Sequence, residues 1–205
     1  GQTALGELLD PNTIARVAAE LQRTAPDRRV SGKEGVADLL RELGPLSVLE
    51  VAARLVPADS AAPLEDDRHG TSTANSAAPD EAAVVEADGY LKALAAAHRV
   101  FPAHIGNEDR WAAVEDAARL RDALGVRLPE DIPGVFLEPV ADPLRDLVSR
   151  YAHTHAAFTT GQLAARLGLG VAIVDEALVR LQDQGRVLRG DFGGTHAQNP
   201  ASPEE

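Results

Sequence analysis

An internal repeat is the feature of this sequence that most restricts its fold. Residues 46–55 (LSVLEVAARL) match residues 158–167 (FTTGQLAARL) at an offset of 112. In both, a hydroxyl residue is followed three positions later by Glu or Gln and then by an Ala-Ala-Arg-Leu ending. Four further pairs match at an offset of 87: Leu91 with Leu178, Leu94 with Leu181, Arg99 with Arg186 and Val100 with Val187. The chain therefore contains two copies of one unit, and the difference of 25 residues between the offsets places an insertion in the first copy.

Each copy carries the signals of three successive helices. The segments Ser31–Glu34 and Ser47–Glu50 both have the capping-box pattern, in which the Ser hydroxyl and the Glu carboxylate each satisfy a free backbone N–H group. Asp10-Pro11 and Asp142-Pro143 each predict a helix start, because Pro at the first helical position lacks a donor that would be unpaired anyway. Apolar residues then recur at spacings of three and four. Each copy thus predicts a helix, a short helix and a longer helix.

After the third helix of the first copy, the pattern changes to that of a β-hairpin. Residues 99–105 and 110–114 are rich in strand-forming residues and flank the turn-forming residues 106–109. Pro102 has no backbone donor, so its strand is expected at the edge of a sheet. Residues 186–192 predict the first strand of the same hairpin in the second copy. Three helices followed by a hairpin form the winged-helix arrangement, with a bare three-helix bundle as the alternative.

The predicted fold is therefore mainly α with small β-hairpins, as two winged-helix-like modules joined by a Pro-rich linker. Residues 57–80 contain a single Leu and no Val, Ile or aromatic residue, so they cannot bury enough apolar surface to become ordered. The expected organisation has five parts: an N-terminal helical segment (1–30), a first module (31–125) with a disordered insertion (57–80), a linker (126–141), a second module with a truncated wing (142–192) and a disordered tail (193–205).

Composition restricts the partners of the chain. Asp and Glu total 32 against 20 Lys and Arg, which gives a net charge of −12. A field of this sign repels phosphate, so nucleic-acid binding would require arginines that cluster locally. The chain has no Cys, which excludes disulfides, Fe–S clusters and Cys-containing zinc sites. It also has no Met, which we interpret as the mark of a piece of a longer protein.

No motif for binding ATP or a dinucleotide is found. Lys33 and Lys92 are the two lysines of the chain, and neither follows a glycine-rich loop that could cradle phosphates. Residues 168–170 (GLG) begin like a dinucleotide fingerprint, but they follow a predicted helix and lack its third glycine. They are interpreted as a helix stop, and no cofactor-binding residue is predicted.

No metal site or catalytic carboxylate pair is predicted either. His153 and His155 are two residues apart on a predicted helix, where their side chains point to roughly opposite sides and cannot bind one ion. The acidic residues 65–67 lie in the predicted insertion, and Glu108-Asp109 lies in the predicted turn. Solvated charge is the simpler interpretation of both groups.

Direct contact with nucleic acid is the remaining chemistry to consider. The third helices, which read bases in many winged-helix proteins, carry acidic residues that phosphate would repel: Glu81, Glu86, Asp88, Asp175, Glu176 and Asp183. The wings are better candidates, since Arg can donate two hydrogen bonds to one phosphate. The predicted contact residues are Arg99, Arg110, Arg186 and Arg189, and solvated arginines are the alternative.

Several motifs resemble the large helicase-related (Lhr) proteins of actinobacteria. The similarity runs from about residue 5 to residue 192, except for the insertion, and corresponds to the region just beyond the helicase core. Residues 193–196 depart from the family pattern where the second wing would continue, which suggests a truncation. The motifs that carry the resemblance are residues 35–40 (GVADLL), 43–47 (LGPLS), 111–126 (WAAVEDAARLRDALGV), 142–148 (DPLRDLV), 167–172 (LGLGVA) and 185–190 (GRVLRG).

The resemblance implies that the chain is an accessory segment of a cytoplasmic, nucleoid-associated helicase. Members of this family are DEAD/DEAH-box, ATP-dependent 3′-to-5′ DNA helicases linked to DNA repair, and their motor uses ATP and Mg. The implied partners are the helicase core of the same polypeptide and, weakly, DNA, but no membrane. A homo-oligomer through the C-terminal region stays open. The alternatives are a protein-interaction scaffold without nucleic-acid contact and, less favoured by the acidic third helices, an independent transcription regulator.

Overall fold

The computed structural model describes residues 10–57 and 79–188 of the chain. The predicted tail, most of the predicted insertion and most of the predicted strand at 186–192 lie outside these residues. The described residues form eight α-helices and one antiparallel hairpin. In chain order these are α1 (Pro11–Leu21), α2 (Gly32–Leu43), α3 (Val48–Ala52), α4 (Glu81–Ala96), β1 (Val100–Ile105), β2 (Glu108–Ala113), α5 (Ala117–Leu124), α6 (Pro143–Thr154), α7 (Thr160–Leu167) and α8 (Val171–Asp183). Within the described ranges, no helix is both long enough and apolar enough to cross a bilayer.

Helices α2, α3 and α4 and the hairpin form the first module in the predicted winged-helix arrangement. Between α2 and α3, Leu46 adds one more strand position, because its backbone exchanges two hydrogen bonds with Trp111 of β2 (3.0 and 2.7 Å). The amphipathic faces of the three helices meet in one core. Its largest fully buried side chains include Val36, Leu39, Leu40, Leu46, Val51, Leu91 and Leu94.

The turn of the hairpin has two residues rather than the predicted four. Strands β1 and β2 pair from Val100 opposite Ala113 to Ile105 opposite Glu108. Gly106 adopts a φ of 66°, and a positive φ at this position is what closes a two-residue turn with the twist of the strands. The second strand therefore begins at Glu108, two residues earlier than the sequence predicted.

The capping box expected at Ser47 is formed, and the matching segment of the repeat forms another at Thr159. Ser47 accepts the N–H of Glu50 (3.2 Å) while the Glu50 carboxylate accepts the N–H of Ser47 (2.8 Å), and α7 begins in the same way at Thr159. The expected box at Ser31 is wrong, because the Ser31 side chain makes no cap hydrogen bond. The carboxylate of Glu34 instead accepts two hydrogen bonds from Arg99 (2.8 Å each), which are stronger than one bond to a neutral N–H.

These two serines provide a matched pair for measuring a helix cap. Ser47→Ala is expected to lower the free energy of unfolding by about 1 kcal/mol, since it leaves an N-terminal donor of α3 unpaired. Ser31→Ala removes the same hydroxyl from a position that caps nothing, and its effect should be close to zero. Urea unfolding of both variants checks the pair. Equal losses would show that the Ser47 cap does not stabilise α3.

Helices α6, α7 and α8 form a second, smaller core around Val148, Leu163 and Leu181. Residues 186–188, the described part of the predicted second wing, are not in a strand.

The segment predicted as a linker is folded against its neighbours. Val126 and Ile132 are buried in a third apolar cluster, together with one face of the hairpin, α5 and α6. This cluster fills the space between the two modules.

Candidate nucleic-acid interface

The turn of the hairpin lies against the end of α7, so the two modules meet at their backbones. Gly168 ends α7 in the left-handed conformation (φ 68°). A Cβ atom on Gly168 would lie 2.6 Å from Cα of Gly106, which is too close for any side chain. A Cβ atom on Gly106 would in turn lie 3.1 Å from the carbonyl oxygen of Ala165, which is tight, and its φ of 66° also favours glycine. The wing of the first module is therefore an internal contact element.

Arg166 of α7 connects the second module to the first. Its guanidinium donates two hydrogen bonds to the carboxylate of Glu50 (2.6 and 3.2 Å) and one to the carbonyl of Pro45 (2.8 Å). Burial opposes ionisation of Glu50, but the hydrogen bonds from Arg166 and from the Ser47 N–H outweigh it and hold its pKa below the ordinary value of 4.5. Glu50 thus caps α3 and pairs with Arg166 at once.

Arg110 of β2 completes the same contact. It is 5% exposed, and its guanidinium donates to the carbonyl of Arg166 (2.6 Å) and to the carboxylate of Glu108 (2.6 Å). Its Nε is buried without a partner. Arg110, which the sequence predicts as a wing contact with nucleic acid, lies inside the contact between the hairpin and α7.

Gln22, just after α1, joins the N-terminal segment to both modules. Its carbonyl and side-chain oxygens accept hydrogen bonds from Arg54 (2.7 and 2.8 Å), which is 6% exposed. Its side-chain nitrogen donates to the carbonyl of Thr154 at the end of α6 (2.6 Å). Arg54 and Arg166 occupy the same position in the two repeats. In both copies this arginine holds the second helix to a neighbouring segment.

His155 lies at the same junction. Its ring stacks on that of Tyr151 (centroids 3.6 Å apart), and its Nδ1 lies 2.9 Å from the Tyr151 carbonyl oxygen. Burial, followed by the nearby charges of Arg166 and Arg54, lowers the pKa of His155 from its ordinary value of 6.5. His153 is exposed and bonds to Ser149. The two histidines therefore have separate surroundings.

The lowered pKa of His155 predicts a pH-dependent stability. The unfolded chain takes up a proton on this histidine at higher pH than the folded chain does, so stability rises with pH in that interval. We expect the contribution to be complete above pH 6.5 and to be lost as the pH falls through the folded-state pKa. His155→Phe keeps the ring packing and should flatten this part of the profile, measured by urea unfolding across the range. His153→Phe should leave it in place, and identical profiles for both variants would contradict the assignment.

The other predicted wing contacts have different surroundings. Arg99 lies at the start of the hairpin and is paired with Glu34 of α2, whose pKa is lowered first by the hydrogen bond from Arg99. Arg186 follows α8, is exposed, and has no hydrogen bond or ion pair to another side chain among the described residues. Arg189 lies outside the described residues. Of the three arginines whose surroundings are described, Arg186 alone has a guanidinium without a partner.

A cleft that the sequence analysis did not identify brings Arg186 together with three other arginines. It has a volume of about 540 Å³ and lies between α2, α5 and α6. We call it the arginine cleft, defined by Arg41, Arg119, Arg150 and Arg186. Glu115, Asp116, Asp146 and His153 also line it. These residues span 145 positions of the sequence, so no local motif could have revealed the cluster.

A buried carboxylate fixes two of these arginines. Asp116 is 3% exposed and accepts hydrogen bonds from Arg150 (2.7 Å) and from Arg119 (3.4 Å). Arg150 also lies over the backbone of Gly44, where a Cβ atom would be 3.0 Å from its Nη2. Arg41 pairs with Glu115 at the edge of the cleft (2.9 Å). The cleft is thus built by side chains from both modules.

Comparison with known proteins gives consistent matches. A family model described as the winged-helix domain of large helicase-related proteins matches residues 7–139. The chain is 47% identical over 188 residues to an Escherichia coli (strain K12) protein described as an Lhr helicase/uracil glycosylase, which covers 92% of this chain. It is 40% identical over 192 residues, 94% of this chain, to an Lhr helicase/probable uracil glycosylase of Mycolicibacterium smegmatis (strain ATCC 700084 / mc(2)155). The chain spans 11% of the length of each of these relatives.

Proposed function

The chain belongs to the large helicase-related family, and from this premise we propose that it is an accessory segment of an Lhr-type ATP-dependent 3′-to-5′ DNA helicase that acts in DNA repair. Its role there is mechanical. It holds the helicase motor in position relative to the winged-helix modules beyond it, and it contacts DNA weakly. ATP and Mg belong to the motor, which is the partner of this segment within the same cytoplasmic polypeptide.

The contact between the hairpin and α7 carries this proposal. A wing that serves nucleic acid has an exposed turn and exposed cations. Here the Gly106 turn meets the backbone of Gly168, and Arg110 is buried beneath it. The contact joins the two modules directly, as a segment that transmits force or position requires. Arg186 remains exposed for a weak DNA contact.

The test uses the complete gene product that contains this chain. Gly168→Ala disturbs the contact between the modules, and we expect it to reduce strand unwinding while DNA-stimulated ATP hydrolysis is retained. Gly125→Ala is the control, because Gly125 has the same backbone conformation (φ 67°) but no neighbour within 4 Å of an added Cβ. Equal unwinding by the two variants would contradict a mechanical role, and the absence of a helicase motor from the gene product would contradict the proposal as a whole.

A second candidate, a protein-interaction scaffold without nucleic-acid contact, is favoured by the exposed faces of the third helices. On α4, Val85 is 67% exposed and Glu81 is exposed beside it, and on α8, Ile173 and Glu176 are exposed. Apolar and acidic faces of this kind suit a protein partner better than phosphate. Val85→Glu would weaken such a complex, measured by co-purification from the gene product's own cells. Unchanged complexes, together with DNA binding by the chain, would exclude this candidate.

A further inference from the structure

We propose that the arginine cleft binds the phosphate groups of a nucleic-acid backbone. This inference rests on the proposed function, because an accessory segment of a helicase works beside DNA. It assigns the contact to a site between the modules instead of to the wings. Composition requires that any phosphate contact come from locally clustered arginines, and this cleft supplies such a cluster from Arg41, Arg119, Arg150 and Arg186.

The cleft retains hydrogen-bond donors after its internal pairs are made. Arg150 bonds to Asp116 through Nη1, and Arg119 uses Nε and Nη1 for its bonds to carboxylates and to a backbone carbonyl. Arg41 likewise uses Nε and Nη1. Among the described residues, Nη2 of Arg41, Nη2 of Arg119 and the guanidinium of Arg186 make no hydrogen bond, whereas Nη2 of Arg150 packs over the backbone of Gly44. Free N–H groups of guanidinium are well matched to the oxygens of phosphate.

The arginine cleft is far less negative than the chain as a whole. Arg41, Arg119, Arg150 and Arg186 line it together with Glu115, Asp116 and Asp146. Asp38 also pairs with Arg41 (3.0 Å), so four arginines are balanced by four carboxylates here, in a chain of net charge −12. The buried Asp116 orients Arg119 and Arg150, and the cost of ordering their guanidiniums is met before a ligand arrives.

The shape of the cleft fits a backbone that passes through it. Its volume of about 540 Å³ lies within the range of ligand sites, and it is open to solvent between the two modules. Arg41 comes from the first module, Arg150 from the second, and Arg186 from the chain after α8. Separation of the two modules would therefore move these arginines apart. Phosphate binding at the cleft thus depends on the contact between the modules.

The experiment measures binding of labelled single-stranded and duplex oligonucleotides to the full chain by fluorescence anisotropy, between about 50 and about 200 mM salt. Arg186→Ala is the main variant, because this side chain makes no hydrogen bond or ion pair with the described residues. Arg127→Ala is its charge-matched control, since Arg127 is exposed and lies outside the cleft. Asp146→Asn changes the charge of the cleft in the opposite direction, because it removes the negative carboxylate that pairs with Arg119 (3.1 Å).

We expect Arg186→Ala to weaken binding about tenfold at low salt and to lower the slope of log K against log salt by about one unit. Arg127→Ala should have a much smaller effect, and Asp146→Asn should tighten binding. Inorganic phosphate should compete poorly with the oligonucleotide, because one ion fills few of the donors. Three results would each overturn the proposal: no binding at low salt, equal effects of Arg186→Ala and Arg127→Ala, or competition by free phosphate as strong as that by the oligonucleotide.

A labelled poly-glutamate peptide tests the other macromolecule that could occupy a basic cleft. Binding of this peptide that depends on Arg186, without binding of the oligonucleotide, would replace nucleic acid by an acidic protein segment. The two proposals are tested by different measurements. DNA binding by the Arg186→Ala variant tests the arginine cleft, and strand unwinding by the Gly168→Ala variant of the complete gene product tests the proposed function.

Discussion

Gly168→Ala is expected to lower the free energy of unfolding by about 3 kcal/mol, whereas Gly125→Ala lowers it by about 1 kcal/mol. Each glycine ends an eight-residue helix with nearly the same φ, 68° and 67°, so the backbone strain of an added methyl group is the same. The additional loss at Gly168, about 2 kcal/mol, comes from the clash of the new Cβ with the backbone of Gly106.

The difference between these two variants is the cost of the clash between the new Cβ and the hairpin, which exists only if the hairpin lies against α7. It is measured by urea unfolding of both proteins, with hydrogen exchange of the hairpin amides as a local readout. We expect the amides around Gly106 to exchange faster in Gly168→Ala and to be unchanged in Gly125→Ala. Equal destabilisation by the two substitutions would show that the modules do not press against each other here.

Gln22→Ala should be the other strongly destabilising change, with an expected loss of about 3 kcal/mol. The substitution removes the side-chain oxygen that accepts from Arg54 (2.8 Å) and the nitrogen that donates to Thr154 (2.6 Å). Arg54 is left buried with fewer partners, and an uncompensated buried charge costs more than the lost hydrogen bond alone. Gln182→Ala, on an exposed face of α8, is the matched control and should cost little.

A double-mutant cycle separates this cause from a general loss of packing. In Arg54→Met, Gln22→Ala should cost markedly less, because the buried Nη2 donor that loses its acceptor is then absent. Chemical denaturation of the four proteins gives the coupling energy. Additive losses would mean that Gln22 acts through its own packing and not through Arg54.

The parts of the fold that sequence analysis predicts correctly are those that depend on neighbouring residues. Asp10-Pro11 begins α1, Ser47 and Glu50 form a capping box, and the repeat at Thr159 forms the second box. These signals act within one turn of helix, so their outcome does not depend on distant contacts. The hairpin is predicted in the right place, but its turn has two residues instead of four, because Gly106 adopts a positive φ.

The errors arise where a distant residue competes with a local signal. Glu34 has the right spacing to cap Ser31, but Arg99, 65 residues away, binds it instead. The burial of Arg110 also depends on a distant residue, because its guanidinium donates to the carbonyl of Arg166, 56 residues away. The arginine cleft has no local signature, because the fold alone brings its members together. Candidate sites made from several elements therefore cannot be read from spacing.

Differential scanning calorimetry of the chain tests the central claim, that the two modules form one mechanical unit. If the contacts at Gly168, Arg166 and Gln22 join the modules as described, the chain unfolds in a single transition whose calorimetric and van't Hoff enthalpies agree. Two resolved transitions in the unmodified chain, one for each module, would contradict this claim, because modules that unfold separately are not coupled by the contacts between them.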